Sequence, residues 1–228
     1  MIKNIIAALS VLAVSCVSSL TFSQKSDVGN WFTYFGNQKI NDKWNWHNEV
    51  QYRNYNFIGD LEQIILRTGI GYNLSDKNNN VLLGYGFIHS EPYISGTSDK
   101  KNITEHRIYQ QFLTKQSFNR VNITHRYRIE ERFIDADFKL RFRYFLSLNI
   151  PINKKEMIKS AIYFSAYNEI FINSHSSFFD RNRLYGALGF CISKDLKIEV
   201  GAMSQIFETK NRTQFQIAFF NNLPFQKQ

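Results

Sequence analysis

The sequence predicts an all-β protein, a single antiparallel transmembrane β-barrel of about ten to twelve strands in an up-and-down meander. Three observations carry that prediction. Apolar and polar residues alternate with period two over most of the chain. The longest such stretches exceed an ordinary soluble strand. The chain also opens with the pattern of an export signal. The clearest case spans 121–150, where Val121, Ile123, His125, Tyr127, Ile129 and Phe133 share one face, opposite Thr124, Arg126, Arg128, Glu130 and Arg132. After Asp135-Ala136-Asp137 the alternation resumes, with Phe138, Leu140, Phe142, Tyr144, Leu146 and Leu148 against Lys139, Arg141, Arg143, Ser147 and Asn149. In an exported chain, strands this long point to an inverted arrangement, apolar face to lipid and charged face to a lumen. A soluble secreted barrel of lipocalin type is the rival, with its apolar face turned inward around a ligand.

The leader comprises Lys3, an apolar run over 5–14 and a small-residue site at Thr21-Phe22-Ser23. This divides the chain into a signal peptide at 1–23 and a barrel domain at 24–228, with Gln24 as the first mature residue. The apolar run is too short to span as a helix. Cys16 has Ala13 where a lipobox usually has Leu, so lipidation is disfavoured; cleavage leaves Cys191 as the single mature thiol, a packing residue more often than a chemical one.

From Gly29 a pattern runs through Trp31, Thr33 and Phe35 to a turn at Asn41-Asp42, then continues as Trp44, Trp46, Val50 and Tyr52 against Asn45, His47, Glu49, Gln51 and Arg53. Trp31, Trp44 and Trp46 cluster near strand ends and fit an aromatic girdle at a membrane interface; burial in an ordinary core is the plainer alternative. Ile64, Leu66, Thr68 and Ile70 lie against Arg67, Gly69 and Gly71, and Val81, Leu83, Tyr85 and Phe87 against Gly84 and Gly86. The paired inner glycines leave room for a bulky neighbour, arginine in particular. A long loop at 91–102 leads to Glu105, Arg107, Tyr109 and Gln111 on an inner face. Beyond the central pair, Tyr163, Ser165, Tyr167 and Glu169 face in, a second long loop is expected at 173–182, and Arg183, Tyr185 and Gly189, then Lys197, Glu199, Met203 and Gln205, then Gln214 and Gln216, face the lumen. Pro92, Pro151 and Pro224 all sit at strand ends, where no ladder bond is lost. Counting from Trp44 gives ten strands, and that parity puts the chain end in the periplasm. The segment 29–37 is then an odd pattern, either half of a pair or a non-spanning piece at the rim or in the lumen.

Mean hydropathy of −0.34 alone would describe a soluble protein, but barrels share that value because half of every strand is polar. The net charge of +9 does not imply nucleic acid: the arginines sit at strand spacing, interleaved with glutamates, with no recognition motif. The expected partners are membrane lipid, with acidic lipopolysaccharide or anionic headgroups suited to a basic surface. Oligomeric state is not legible.

The runs Trp44-x-Trp46-x-x-Glu49-x-Gln51-x-Arg53, Glu105-His106-Arg107-x-x-Gln110-Gln111, His125-Arg126-x-Arg128-x-Glu130-x-Arg132-Phe133, Arg141-x-Arg143-Tyr144, Asn168-Glu169 and Asn182-Arg183-Leu184 resemble the domain-of-unknown-function 2490 (DUF2490) family of predicted outer-membrane barrels. The resemblance covers nearly all the mature chain. It implies location in the outer membrane of a Gram-negative bacterium and supplies no reaction, ligand or catalytic residue.

The residues with most to explain are the inner charges Arg53, Arg67, Arg107, Arg126, Arg128, Arg132, Arg141, Arg143 and Arg183, against Glu49, Glu105, Glu130, Glu169 and Glu199. Charges inside a small barrel must be paired or wet. A cross-strand Arg/Glu network closing the lumen is the favoured reading, in a structural or binding barrel whose ligand contacts lie in the loops 91–102 and 173–182. A small anion or solute pore lined by the surplus arginines is the first alternative, although so few strands leave little space beyond their own side chains. A lipid-modifying enzyme is the second. His89, His106 and His125 project on apolar faces, but no serine stands at a matching position for nucleophilic chemistry. No metal-ligand spacing, phosphate loop or dinucleotide fingerprint occurs, so no cofactor and no metal are expected.

Overall fold

The computed structural model describes residues 28–75, 78–175 and 177–225, so the leader at 1–23 and Cys16 lie outside the described residues. Eleven strands follow one another: β1 (Val28–Lys39), β2 (Trp44–Asn54), β3 (Leu61–Asn73), β4 (Asn79–Ser90), β5 (Ile103–Phe118), β6 (Val121–Ile134), β7 (Asp137–Pro151), β8 (Ile162–Asn173), β9 (Phe179–Cys191), β10 (Leu196–Ile206) and β11 (Asn211–Asn221). Each pairs antiparallel with its sequence neighbour, and β1 pairs with β11 to close the barrel. No helix occurs among the described residues.

The closing seam is parallel, running from Val28 opposite Thr213 to Gly36 opposite Asn221. An odd number of up-and-down strands makes this unavoidable, because the first and last then run the same way. The segment 29–37 is therefore neither a rim piece nor half of a missed pair. It is a full wall strand, bonded to β11 on one side and β2 on the other. The chain enters the wall at one mouth and leaves at the other. Mouth A carries the start of β1 and the connections 55–60, 91–102, 135–136, 174–178 and 207–210; mouth B carries the end of β11 and 40–43, 74–78, 119–120, 152–161 and 192–195. The expected long loop at 173–182 shrinks, because β9 already begins at Phe179.

Alternation sets the two faces. Along β6, Tyr127 and Ile129 point outward at 49% and 40% exposure, while Arg128 and Glu130 point inward at 3% and 0%. The outer wall as a whole carries exposed Leu, Ile, Val and Phe, and the interior carries buried Arg, Glu, Gln and Tyr. The tight turns β5–β6 and β6–β7 use Asn119 (φ 53) and Asp135 (φ 51), short polar residues that tolerate the left-handed backbone a two-residue connection needs. Gly84 matters for a different reason: the ring of Tyr109, its partner on β5, lies where its Cβ would stand, so glycine lets an aromatic ring lie along the inner wall. The ring is joined by Arg128, stacked 4.4 Å away. At Gly86 the neighbour is an arginine, Arg67 of the adjacent strand.

Two bulges interrupt the ladders, both near mouth A. Arg53 pairs with Gln63 but Asn54 with Leu61, and Phe171 pairs with Arg181 but Ile172 with Phe179. The extra residues are Glu62 and Asp180. A bulge adds one residue on one side of a pair and re-aims its side chain; here each contributes a carboxylate to the mouth A half.

Candidate functional site

The charged interior divides into a packed layer toward mouth A and an open cavity toward mouth B. The layer is built on Glu130, which is fully buried. One of its oxygens accepts from Arg141 Nε and Nη2 at 3.0 and 2.6 Å, and the other from Arg143 Nη1. Arg107 and Arg128 stand 3.8 and 3.6 Å from the same carboxylate. Glu105 is gripped by two forks, Arg107 Nη2 at 2.8 Å and Arg132 Nη2 at 3.0 Å from its Oε2. Asp180 accepts from Arg141 Nη1 at 2.9 Å, and Phe171 lies beneath Arg141, Arg143 and Arg183. Bidentate guanidinium–carboxylate pairs combine strength with a fixed geometry, which lets so many charges stay buried together.

Glu169 stands at the boundary, accepting from Arg143 Nη2 at 2.6 Å and Arg126 Nη2 at 2.7 Å. Glu49 pairs with Arg67 and accepts from Gln51, which in turn accepts from Arg53. Among the five inner glutamates singled out from the sequence, Glu199 stands apart: it accepts from Tyr163 at 2.9 Å and Tyr185 at 3.4 Å, with no arginine in ion-pair range among the described residues. Its strand, β10, carries no arginine, and the tyrosines of β8 and β9 fill the space across it.

Beyond this boundary lies a cavity of about 1320 Å³ that runs from Arg53, Arg67, Arg128 and Arg143 to the polar residues of mouth B, such as Asn45, Asn78 and Asn222. The expectation that the wall leaves little space beyond its own side chains is therefore corrected for this half. Eleven strands enclose more than the roughly eight that side chains just fill. Small inward residues such as Thr33, Ser147 and Ser165 also withdraw from the centre.

Trp31 is likewise not a girdle residue. It is 3% exposed, inside the barrel, with the Arg53 guanidinium 3.6 Å and that of Arg183 5.0 Å from its ring. Aromatic residues occupy both faces of β1, so alternation alone does not orient that strand, and the register opposite Arg53 and Gln216 turns Trp31 inward. Trp44 and Trp46 lie on the outer wall beside the 40–43 turn. Trp44 packs edge-on to Tyr72 at 4.9 Å; Trp46 stacks on Phe225 at 5.6 Å and donates from Nε1 to Thr68 Oγ1 at 2.8 Å.

The outer-face histidines have local partners of other kinds than serine. His125 Nδ1 meets Tyr144 Oη at 2.9 Å, His106 Nδ1 meets Tyr85 Oη at 2.6 Å, and His89 Nε2 lies 3.4 Å from Glu91. No group of His, Cys, Asp and Glu placed to hold a metal ion occurs among the described residues. Cys191 is buried beside Ala161 and Tyr163.

At the mouth A rim a second cluster ties the 55–60 connection to the 91–102 loop. Lys100 reaches Asp60 at 2.6 Å and Glu91 at 3.5 Å, and Tyr93 donates to Asp60 at 2.7 Å. Partial burial works against the Lys100 ammonium, but the hydrogen bond and charge of Asp60 prevail and hold its pKa above the ordinary lysine value. The Tyr93 hydroxyl is also pushed up, first by its hydrogen bond to Asp60. Arg212 and Glu62 pair at 2.7 Å below them. Sequence reasoning missed Glu62 and Asp180 because bulges take them out of the period-two pattern.

The profile of a family described as "Protein of unknown function (DUF2490)" matches residues 28–216. An uncharacterized protein of Methylorubrum extorquens is 30% identical over 171 residues, covering 71% of each chain. No solved structure matches. The profile takes in β1, the packed charge layer and the cavity arginines together, and on that match the chain belongs to the DUF2490 family.

Proposed function

We propose that the chain is an outer-membrane β-barrel of a Gram-negative bacterium, exported by a leader at 1–23 that is then removed, and that it serves a structural or binding role rather than conducting solutes. The observation that carries the reading is the inverted surface. Leu188, Leu83, Val200 and Leu184 are 61%, 61%, 56% and 56% exposed on the outside, while Glu130 is 0% exposed within. Water penalises such an apolar exterior, whereas the hydrocarbon core of a bilayer accommodates it. A closed wall also satisfies every strand edge, as a spanning sheet must. Blockage is supported by the Glu105/Glu130 layer, whose guanidinium and carboxylate groups are buried against one another inside the wall.

Cell fractionation with heat-modifiable gel migration tests the location: the protein is expected in the outer-membrane fraction and to migrate differently before and after boiling. A fully soluble mature protein would end the membrane reading. Planar-bilayer recording tests the blockage, with no steady open-channel current expected.

A further inference from the structure

The mouth B cavity contains more positive charge than its own carboxylates balance: ten lysines and arginines face it against five carboxylates, among the described residues. The imbalance is sharpest at its floor. Arg53 donates only to glutamines, through Nε to Gln51 at 2.8 Å and Nη1 to Gln63 at 2.8 Å, and no carboxylate lies within ion-pair range of it among the described residues. Arg183 donates to Gln205 at 2.9 Å and stands 3.8 Å from Glu169 Oε2, in ion-pair range but without a hydrogen bond, while the other oxygen of Glu169 serves Arg143 and Arg126. Both guanidiniums lean on the one indole of Trp31. Three further donors of the cavity-lining arginines, Arg67 Nε, Arg126 Nε and Arg128 Nη1, are buried without a hydrogen-bond partner. Arg128 and Arg67 are 3% and 7% exposed.

A buried guanidinium without a counter-ion is strongly unfavourable, and an aromatic face compensates it only in part. The missing negative charge must come from outside the chain. Guanidinium forks match the oxygen pairs of carboxylate and phosphate. The space greatly exceeds a bare inorganic ion, and Phe35, Phe145 and Phe220 give part of its wall an apolar surface suited to a carbon skeleton. At its far end stand the buried Trp31, Arg53 and Arg183, with Arg128 and Arg143 of the Glu130 layer. We infer that the cavity running to mouth B is a blind cup that binds a small organic oxoanion with two or more carboxylate or phosphate groups, held at its floor by Arg53 and Arg183 beside Trp31.

This inference rests on the blocked lumen, yet the two fail separately. A protein that conducts but binds the anion overturns the blockage alone, and a silent protein that binds none overturns the cup alone. The test uses the full mature barrel in detergent, with isothermal titration of citrate, inorganic phosphate and chloride at constant ionic strength, and Trp31 emission followed in a Trp44→Phe/Trp46→Phe background. Citrate should bind saturably with a midpoint at least about tenfold below that of chloride, and it should shift Trp31 emission. Arg53→Gln and Arg183→Gln should each weaken citrate about tenfold or more, as expected for a lost charged hydrogen bond. Arg53→Lys, which keeps the charge but loses the fork, should weaken it less. Arg132→Gln, in the packed half, should leave the midpoint unchanged. Heat-modifiable migration identifies variants that fold. Should any Arg variant fail to assemble, citrate protection of the unmutated barrel against thermal unfolding, absent with chloride, keeps the question decidable. Absence of saturable binding, equal midpoints for citrate and chloride, or full binding by a folded Arg53→Gln/Arg183→Gln protein would each overturn the cup.

Discussion

On one side of the lumen, Glu105, Glu130 and Asp180 meet Arg107, Arg132 and Arg141 in a buried layer; at the floor of the cavity that runs to mouth B, Arg53 and Arg183 have glutamine partners and a shared tryptophan. Both halves are built from the same strands with the same alternation. What differs is the supply of carboxylate. The β8–β9 bulge adds Asp180 to the packed layer, whereas the carboxylate added by the β2–β3 bulge, Glu62, is taken by Arg212 and leaves the neighbouring Arg53 without one. A charged lumen thus becomes a wall where its signs match and a vessel where they do not, because only matched forks can be packed without solvent.

The largest effect should come from breaking the packed half. Glu130→Ala leaves Arg141 and Arg143 without their shared acceptor, at a cost of about 3–5 kcal/mol; a sharp fall in the denaturant midpoint is expected, or an anion leak if the barrel survives. A variant as stable and as tight as the parent would contradict the matched-layer account. On the outer wall, which does not distinguish the two halves, Phe142→Arg should impair bilayer insertion by about 2–4 kcal/mol near the midplane. Arg143→Gln, one residue along and facing inward, should be milder in an insertion assay because Glu130 and Glu169 keep other arginine partners.

In the open half the same kind of change should matter less. Glu199→Gln keeps an acceptor for Tyr163 and Tyr185 and strands no arginine, so a loss of about 0.5–1.5 kcal/mol is expected in the same denaturant assay. A loss as large as that of Glu130→Ala would erase the contrast. The smallest effect belongs to the rim. Lys100 and Tyr93 both hold their protons more tightly in the folded loop, so their contribution is complete below the ordinary values near about 10 and fades as pH rises through the raised ones. The protection of the amides of Ile94 and Lys101, which close the 91–102 loop onto Asp99 and Pro92, should fall above about pH 10 relative to the exchange rate of an unstructured amide at the same pH. Unchanged protection there would remove Asp60 as the tie.

Period two made most inner and outer faces legible, including Arg128 against Ile129 and Arg141 against Phe142, because a strand's alternation needs no tertiary information. Trp31 escaped it because Phe32 and Tyr34 make the other face of β1 aromatic as well. Glu62 and Asp180 escaped because a bulge shifts the phase by one residue. The open cup was also hidden: whether Arg126 finds Glu169, forty-three residues away, or Arg53 finds no carboxylate depends on how the strands stagger when the wall closes.

The division of the lumen is tested most directly by cysteine labelling across a bilayer. In a Cys191→Ala background, Asn45→Cys places a thiol in the open half and Ser90→Cys one beyond the packed layer, at mouth A. With the barrel inserted in one orientation, a small membrane-impermeant thiosulfonate added to one side should label only one of the two, and added to the other side only the other. Labelling of both thiols from a single side would show a continuous passage and contradict the sealed layer.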